Sequence, residues 1–243
     1  MIGEIVEGGT LDAFVAKVVA DAQAAAAKST WKCGQCSRPT QPYVTDCDAC
    51  VAKAADRRAS ERRQRTTETI PKHYQWATFG AGELLARVRP QDPTRLRAQQ
   101  AIDRTMGFVN ETTVLFQGGP GQGKTSLAVA LLRAAAEHRG VVGVFVDSRR
   151  LVDAKTGHRF GAPVPEMVRL AKTAGVLLLD ELGAERPGVD IVGDILHDRH
   201  MDERPSIYTT GLKLDDIGAR YGGGIRRRAV KFTQFVALRG DAQ

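Results

Sequence analysis

Apolar residues follow two different periodicities along this chain. In the first part they recur at helical spacing: Leu11, Phe14, Val15, Val18, Val19 and Ala22 form a stripe, with Thr10 placed to cap an amphipathic helix. Beyond residue 50 the stripe gives way to alanine and charge. Ala52, Ala54 and Ala55 lead into Arg57-Arg58-Ala59-Ser60-Glu61-Arg62-Arg63-Gln64-Arg65, a strong helix former that reads equally as a solvated linker helix or a nucleic-acid contact. From Ile70 onward, short β-branched and apolar runs alternate with helical patterns. Residues 113–117, 141–147, 176–180, 206–210 and 232–238 predict strands, and 126–133, 164–173, 191–199 and 214–220 predict helices. This alternation predicts an α/β fold, a parallel sheet wrapped by helices with ligands at the C-terminal strand ends.

With 243 residues, 42% of them hydrophobic, the chain suits one α/β domain of ordinary size plus a small appendage. The net charge of +7 favours a polyanionic partner and says nothing about fold. No basic segment followed by an apolar core opens the sequence, and no run approaches the ~18 uncharged residues of a membrane span. A soluble, cytoplasmic protein without membrane contact is expected.

The first predicted strand runs into Gly118-Gly119-Pro120-Gly121-Gln122-Gly123-Lys124-Thr125, which fits the phosphate-binding pattern G-x-x-x-x-G-K-[ST] between strand and helix. Glycines let backbone N–H groups converge on phosphate oxygens, and the helix N-terminus adds partial positive charge. Lys124 would reach the β- and γ-phosphates of ATP, and the Thr125 hydroxyl would ligate Mg²⁺. Gly119, Pro120, Gly121, Gln122, Gly123, Lys124, Thr125 and Ser126 are thus the expected nucleotide-binding residues. Asp180-Glu181 ends a later apolar run. Asp180 would orient Mg²⁺ through its water shell, and Glu181 would polarise the water that attacks the γ-phosphate. An acidic pair that merely caps a buried strand before the Leu182-Gly183 turn is the alternative.

All four cysteines lie in two C-x-x-C pairs, Cys33/Cys36 and Cys47/Cys50, either side of the loop 37–46. Two such knuckles can complete a tetrahedral four-thiolate zinc site with no open position for water, a structural role. Disulfides compete with this reading but are disfavoured in a cytosolic chain, and a redox C-x-x-C would come singly.

Beyond the phosphate loop, residues 70–79, the run Leu178-Leu179-Asp180-Glu181-Leu182-Gly183, residues 204–212 and Leu238-Arg239-Gly240-Asp241 resemble AAA+ ATPases of the DnaC/DnaI type. These are replicative-helicase loaders, related to IstB-type transposition helper ATPases. The resemblance implies an AAA+ P-loop core over 70–243 with its lid absent or minimal. It leaves an N-terminal amphipathic helix over 1–30, a zinc-binding knuckle over 31–52 and a basic linker helix over 53–69. An N-terminal zinc unit is itself a feature of some loaders. It further implies an arginine finger, Arg226 or Arg228, that reaches a neighbouring subunit's nucleotide and so couples turnover to self-association.

At the sensor position the family carries Asn after two hydroxyl residues, whereas Gly211 follows Thr209-Thr210 here. Thr210 is the expected substitute, with shorter reach than an Asn amide. Nucleotide binding is accordingly expected to be firmer than rapid hydrolysis. The resemblance implies an ATP-dependent loader that places a hexameric replicative helicase on single-stranded DNA, the zinc unit holding the helicase. Arg149, Arg150, Lys155 and Arg159, expected in a basic loop after the second core strand, are candidate DNA contacts, with ordinary surface charge as the alternative. A transposition helper on double-stranded DNA, and a nucleotide-switched adaptor with little hydrolysis, are the other readings.

Overall fold

A computed structural model describes residues 11–27, 31–41, 43–80, 84, 92–159, 161–188, 190–224 and 233–238. The chain divides into two compact units, Met1–Arg58 and Ala59–Gln243. In the smaller unit, helix α1 (Leu11–Ala27) is followed by a short antiparallel bridge, Lys32 to Pro39, and a turn that returns to the start of α2 (Asp48–Thr69). Phe14, Val15, Val18 and Val19, the expected apolar stripe, are all exposed on α1.

The larger unit begins within α2. A 3-10 turn (Lys72–Tyr74) and helix α3 (Asp92–Met106) precede the sheet elements. These are β1 (Thr113–Gly118), α4 (Lys124–His138), β2 (Gly143–Asp147), α5 (Ser148–Thr156), α6 (Glu166–Thr173), β3 (Val176–Leu182), α7 (Ile191–Met201), β4 (Ser206–Thr210), α8 (Leu214–Tyr221) and β5 (Gln234–Leu238). The five strands are all parallel, in the order β2-β3-β4-β1-β5. The connection from β1 through α4 to β2 therefore passes over two strands, and β4 comes to lie between β1 and β3.

Strand pleating divides the core into two faces. Val114, Phe116, Val176 and Leu178 pack with Leu127, Leu131 and the rest of α4's buried side, joined by Ile102 of α3. Their neighbours Leu115, Leu177 and Leu179 point the other way, against Leu151 of α5, Val168 of α6, Ile195 of α7 and Ile217 of α8. Burial on both faces explains why the strands read as continuous apolar runs without alternation. The expected α/β architecture is therefore present, as a helix-sheet-helix sandwich.

Two expectations change. Residues 148–156, expected in a loop, form helix α5, because the Asp147 carboxylate accepts the Arg150 N–H at 3.0 Å as an N-cap and Leu151 and Val152 are buried. From Ala59 on, α2 is also built into the larger unit. Thr66 Oγ1 accepts the Gly143 N–H at 2.9 Å and Thr69 Oγ1 accepts that of Phe145 at 3.0 Å. Those N–H groups lie on the outer side of β2, an edge strand, so two threonines one helical turn apart satisfy what would be an open edge. Arg63 adds an ion pair to Glu137 of α4 at 3.0 Å.

Arg199 of α7 is completely buried and its guanidinium is held by neutral oxygens. It donates to Ser206 Oγ at 2.8 Å, to the carbonyls of Ala171, Lys172 and Ala174 at 3.2, 3.3 and 3.0 Å, and to that of Pro205 at 2.7 Å. The first three carbonyls lie at the end of α6, where acceptors lack intrahelical partners and the helix dipole is negative. Burial lowers the pKa of Arg199 to about 10, so it remains a cation near neutral pH. Arg199→Met should leave these acceptors unpaired and cost on the order of 3 kcal/mol in urea unfolding followed by circular dichroism. Arg199→Lys should recover part of that loss.

Candidate functional site

The turn after β1 places Gly121 and Gly123 at φ of 74° and 79°, a left-handed conformation that favours glycine, and Gly123 caps α4. The Gln122 carboxamide folds back and accepts the Gly119 N–H at 2.7 Å. Lys124 Nζ donates to the Gly119 carbonyl at 2.8 Å. Burial pushes the Lys124 pKa below its ordinary value, against the pull of Asp180 and Glu181. Ser126 is buried at the first turn of α4, and Pro120 and Gly121 are exposed at the loop tip.

The acidic pair sits on a break in sheet register. Leu179 pairs with Tyr208, but the next pairing is Leu182 with Thr210, so β3 carries one extra residue across this step. Glu181 occupies the bulge at φ 57°, a conformation that costs a non-glycine residue of order 1–3 kcal/mol. On a regular strand the two acids would point to opposite faces. The bulge brings both into the field of Lys124: Asp180 is 5% exposed, and the Glu181 side chain is half exposed, 3.4 Å from the Arg149 guanidinium.

Three elements meet at Asp180 Oδ1. It accepts the Thr125 hydroxyl at 3.0 Å and the Thr209 hydroxyl at 2.6 Å. Burial raises the Asp180 pKa above its ordinary value, and the Thr209 and Thr125 hydroxyls partly offset the rise. Thr209 also accepts the Glu181 N–H at 2.9 Å, so one hydroxyl holds both acids. Thr210, the residue expected from the sequence, is turned to the backbone instead. Its hydroxyl donates to the Leu182 carbonyl at 2.8 Å and accepts the Leu212 N–H at 3.0 Å. Sequence spacing could not choose between adjacent threonines, because the choice depends on the bulge. A side chain starting at Gly211 would have its Cβ 3.9 Å from the Gly118 carbonyl, beside the phosphate loop.

Arg149, Arg150 and Lys155 are exposed on α5, and Arg159 is exposed beyond it. Arg226 and Arg228 lie outside the described residues.

In the smaller unit the sulfurs of Cys33, Cys36, Cys47 and Cys50 all lie within 4.8 Å of one another, with no disulfide among them. Around a zinc ion with ~2.3 Å bonds, sulfurs stand about 3.8 Å apart, so the cluster has the size a metal requires. The Cys36 and Cys47 sulfurs are 3.6 Å apart, and the Gln35 N–H reaches the Cys33 sulfur at 3.4 Å. Backbone N–H donation from Cys47, then from Cys36 and Gln35, lowers the Cys33 pKa to about 6, whereas sharing hydrogen with Cys36 and Cys47 raises that of Cys50 to about 12. Among the described residues, no helix is long and apolar enough to cross a membrane.

Among solved structures, three share the fold over about two thirds of this chain or more. The DnaC helicase loader superposes with a TM-score of 0.55 at 23% identity, over 69% of this chain and 99% of its own. DnaI does so with a TM-score of 0.53 at 22% identity, over 72% and 97%. The replication initiator DnaA, bound to AMPPCP and single-stranded DNA, gives 0.50 at 18% identity, over 67% and 51%. No curated protein sequence matches the chain. The model of the IstB-like ATP binding protein family matches residues 52–225, well over half the chain and the whole of the acid-and-loop geometry described above. The chain belongs to this family, with an AAA+ P-loop fold.

Proposed function

We propose that the chain is an ATP-dependent loader of a replicative DNA helicase, in which the AAA+ core binds and hydrolyses ATP and the N-terminal cysteine unit holds the helicase. The observation that carries the ATPase half is the convergence of Thr125, Thr209 and the Asp180-Glu181 bulge beside Lys124. The loader half rests on likeness of fold to the DnaC helicase loader and on a cysteine cluster and exposed apolar helix outside the ATPase core.

In this reading the N–H groups of residues 121–125 and Lys124 cradle the triphosphate, and the Lys124 ammonium leaves the Gly119 carbonyl for the phosphates. Thr125 and, through water, Asp180 would hold Mg²⁺, which would supply charge neutralisation to the triphosphate. The half-exposed Glu181 carboxylate orients and polarises the attacking water, after parting from Arg149. Thr209 offsets part of the cost of ionising buried Asp180 and holds the Glu181 N–H. Arg226 or Arg228 would act on a neighbouring subunit's nucleotide, so that self-association precedes turnover, and Arg149, Arg150, Lys155 and Arg159 would meet single-stranded DNA. Zinc on Cys33, Cys36, Cys47 and Cys50 would fold the small unit, in which only Cys33 and Thr40 are buried among the described residues. A second reading is the transposition helper implied by the resemblance to IstB-type ATPases, and it fits the matched IstB-like ATP binding protein family equally. A nucleotide-switched adaptor is the limit in which Gly211 leaves hydrolysis very slow.

Turnover should require Glu181. Glu181→Gln should lower kcat by about 100-fold or more while ATP affinity stays within a few-fold, and Lys124→Ala should abolish binding, both read by phosphate release and calorimetry. Gly211→Asn should raise kcat by several-fold in the same assay, because Asn supplies a donor and an acceptor where the backbone leaves room. Metal analysis should find one zinc per chain. Mixing with the host's replicative helicase should give a complex on size exclusion that a zinc chelator abolishes while ATP binding survives. No complex, with or without ATP, would overturn the loader reading.

A further inference from the structure

The turn that follows Glu181 is fastened to the far end of α8 by a buried carboxylate that the ATP site does not use. Glu185 is 4% exposed. Its Oε2 accepts the Gly183 N–H at 2.9 Å, and the same N–H lies 2.9 Å from the Tyr221 hydroxyl. Tyr221 in turn donates its hydroxyl hydrogen to Glu185 Oε1, which also accepts Arg220 Nε at 2.9 Å, and Arg220 Nη2 donates to the Glu185 carbonyl. Burial would raise the Glu185 pKa, but the Tyr221 and Arg220 donors outweigh it and hold the carboxyl below its ordinary range.

What the cluster holds is the backbone that sets Glu181. The Ala184 N–H returns to the Glu181 carbonyl at 3.0 Å, closing a four-residue turn whose third residue, Gly183, has φ 91°. A Cβ on Gly183 would sit 2.3 Å from Leu212 Cδ1, so the turn is pressed against the segment leaving β4. On its other side the Glu181 carbonyl accepts the Ser148 hydroxyl at 2.7 Å. Glu181 itself is in a left-handed conformation that it adopts only under such constraint. Sliding α8's last turn would remove one partner of the Gly183 N–H and free the turn to carry Glu181 out of line.

We propose that Glu185 and Tyr221 are positioning residues that latch the turn after Glu181 to the C-terminal turn of α8, so that the position of α8 sets the rate of ATP hydrolysis and not the affinity for ATP. This rests on the reading of Glu181 as the group that acts on water. The latch spans one subunit only. It therefore gives any partner that docks on α8 a lever on turnover in that subunit.

Two measurements separate this from a purely structural role. In steady-state turnover, Tyr221→Phe and Glu185→Gln should each lower kcat by about 10- to 100-fold with KM and ATP affinity within about twofold of wild type, as a small misplacement of a catalytic group would. Arg220→Lys, which keeps a donor to the carboxylate, should retain more activity than either. In hydrogen exchange, a non-hydrolysable ATP analogue with Mg²⁺ should protect residues 182–185 and 214–221 together in the wild-type chain, and only 182–185 in Tyr221→Phe. Unchanged kcat in both variants, or a loss of kcat matched by an equal loss of ATP affinity, overturns the latch. A wild-type chain that binds ATP without any turnover defeats the role of Glu181 instead, and the exchange result alone then decides the latch: independent responses of the two segments in wild type overturn it.

Discussion

Asp180 Oδ1 is the point on which the proposed ATP site depends. The strand order interposes β4 between the strand that delivers the phosphate loop and the strand that delivers the acids, so loop and acids meet across the end of β4. Thr125 makes that contact directly from α4, and Thr209, at the end of β4, joins it on the same oxygen. A buried carboxylate is costly to ionise unless donors compensate it. Two hydroxyls on one oxygen supply part of that compensation, and they do so by tying β3, β4 and α4 together. The extra residue in β3 then determines where the second acid goes.

Much of this was legible in the sequence where the determinant is local. The glycines at 121 and 123 are needed for the backbone conformation they adopt, and the five strands are apolar throughout because both sheet faces are covered. The four cysteines were readable as a cluster because the C-x-x-C spacing itself turns two sulfurs together. In each of these cases a short stretch of chain carries its own geometry.

Where the determinant is a partner distant in sequence, the residues alone were silent. Thr209 and Thr210 are indistinguishable until the register break in β3 assigns one to the site and the other to the backbone. Helix α3 buries Ala98, Ile102 and Thr105, too sparse a stripe to stand out in a polar segment. The basic residues around Arg149 resembled a loop because the helix there depends on Asp147 as cap and on two apolar residues that face α6 and α7. Nothing local in the sequence marks Glu185, and only the approach of α8 gives it partners.

The threonines of α2 bear on how this protein could be divided. Residues 59–69 look dispensable to an ATPase that begins at Ile70, and a fragment cut there would keep every residue of the phosphate loop and both acids. It would also lose Thr66 and Thr69, and with them the cover on the outer strand of the sheet. Such a fragment would present a bare, sticky strand to its own copies and assemble through it into aggregates. A well-behaved truncation must therefore start upstream of Arg62, inside what reads as a connecting segment.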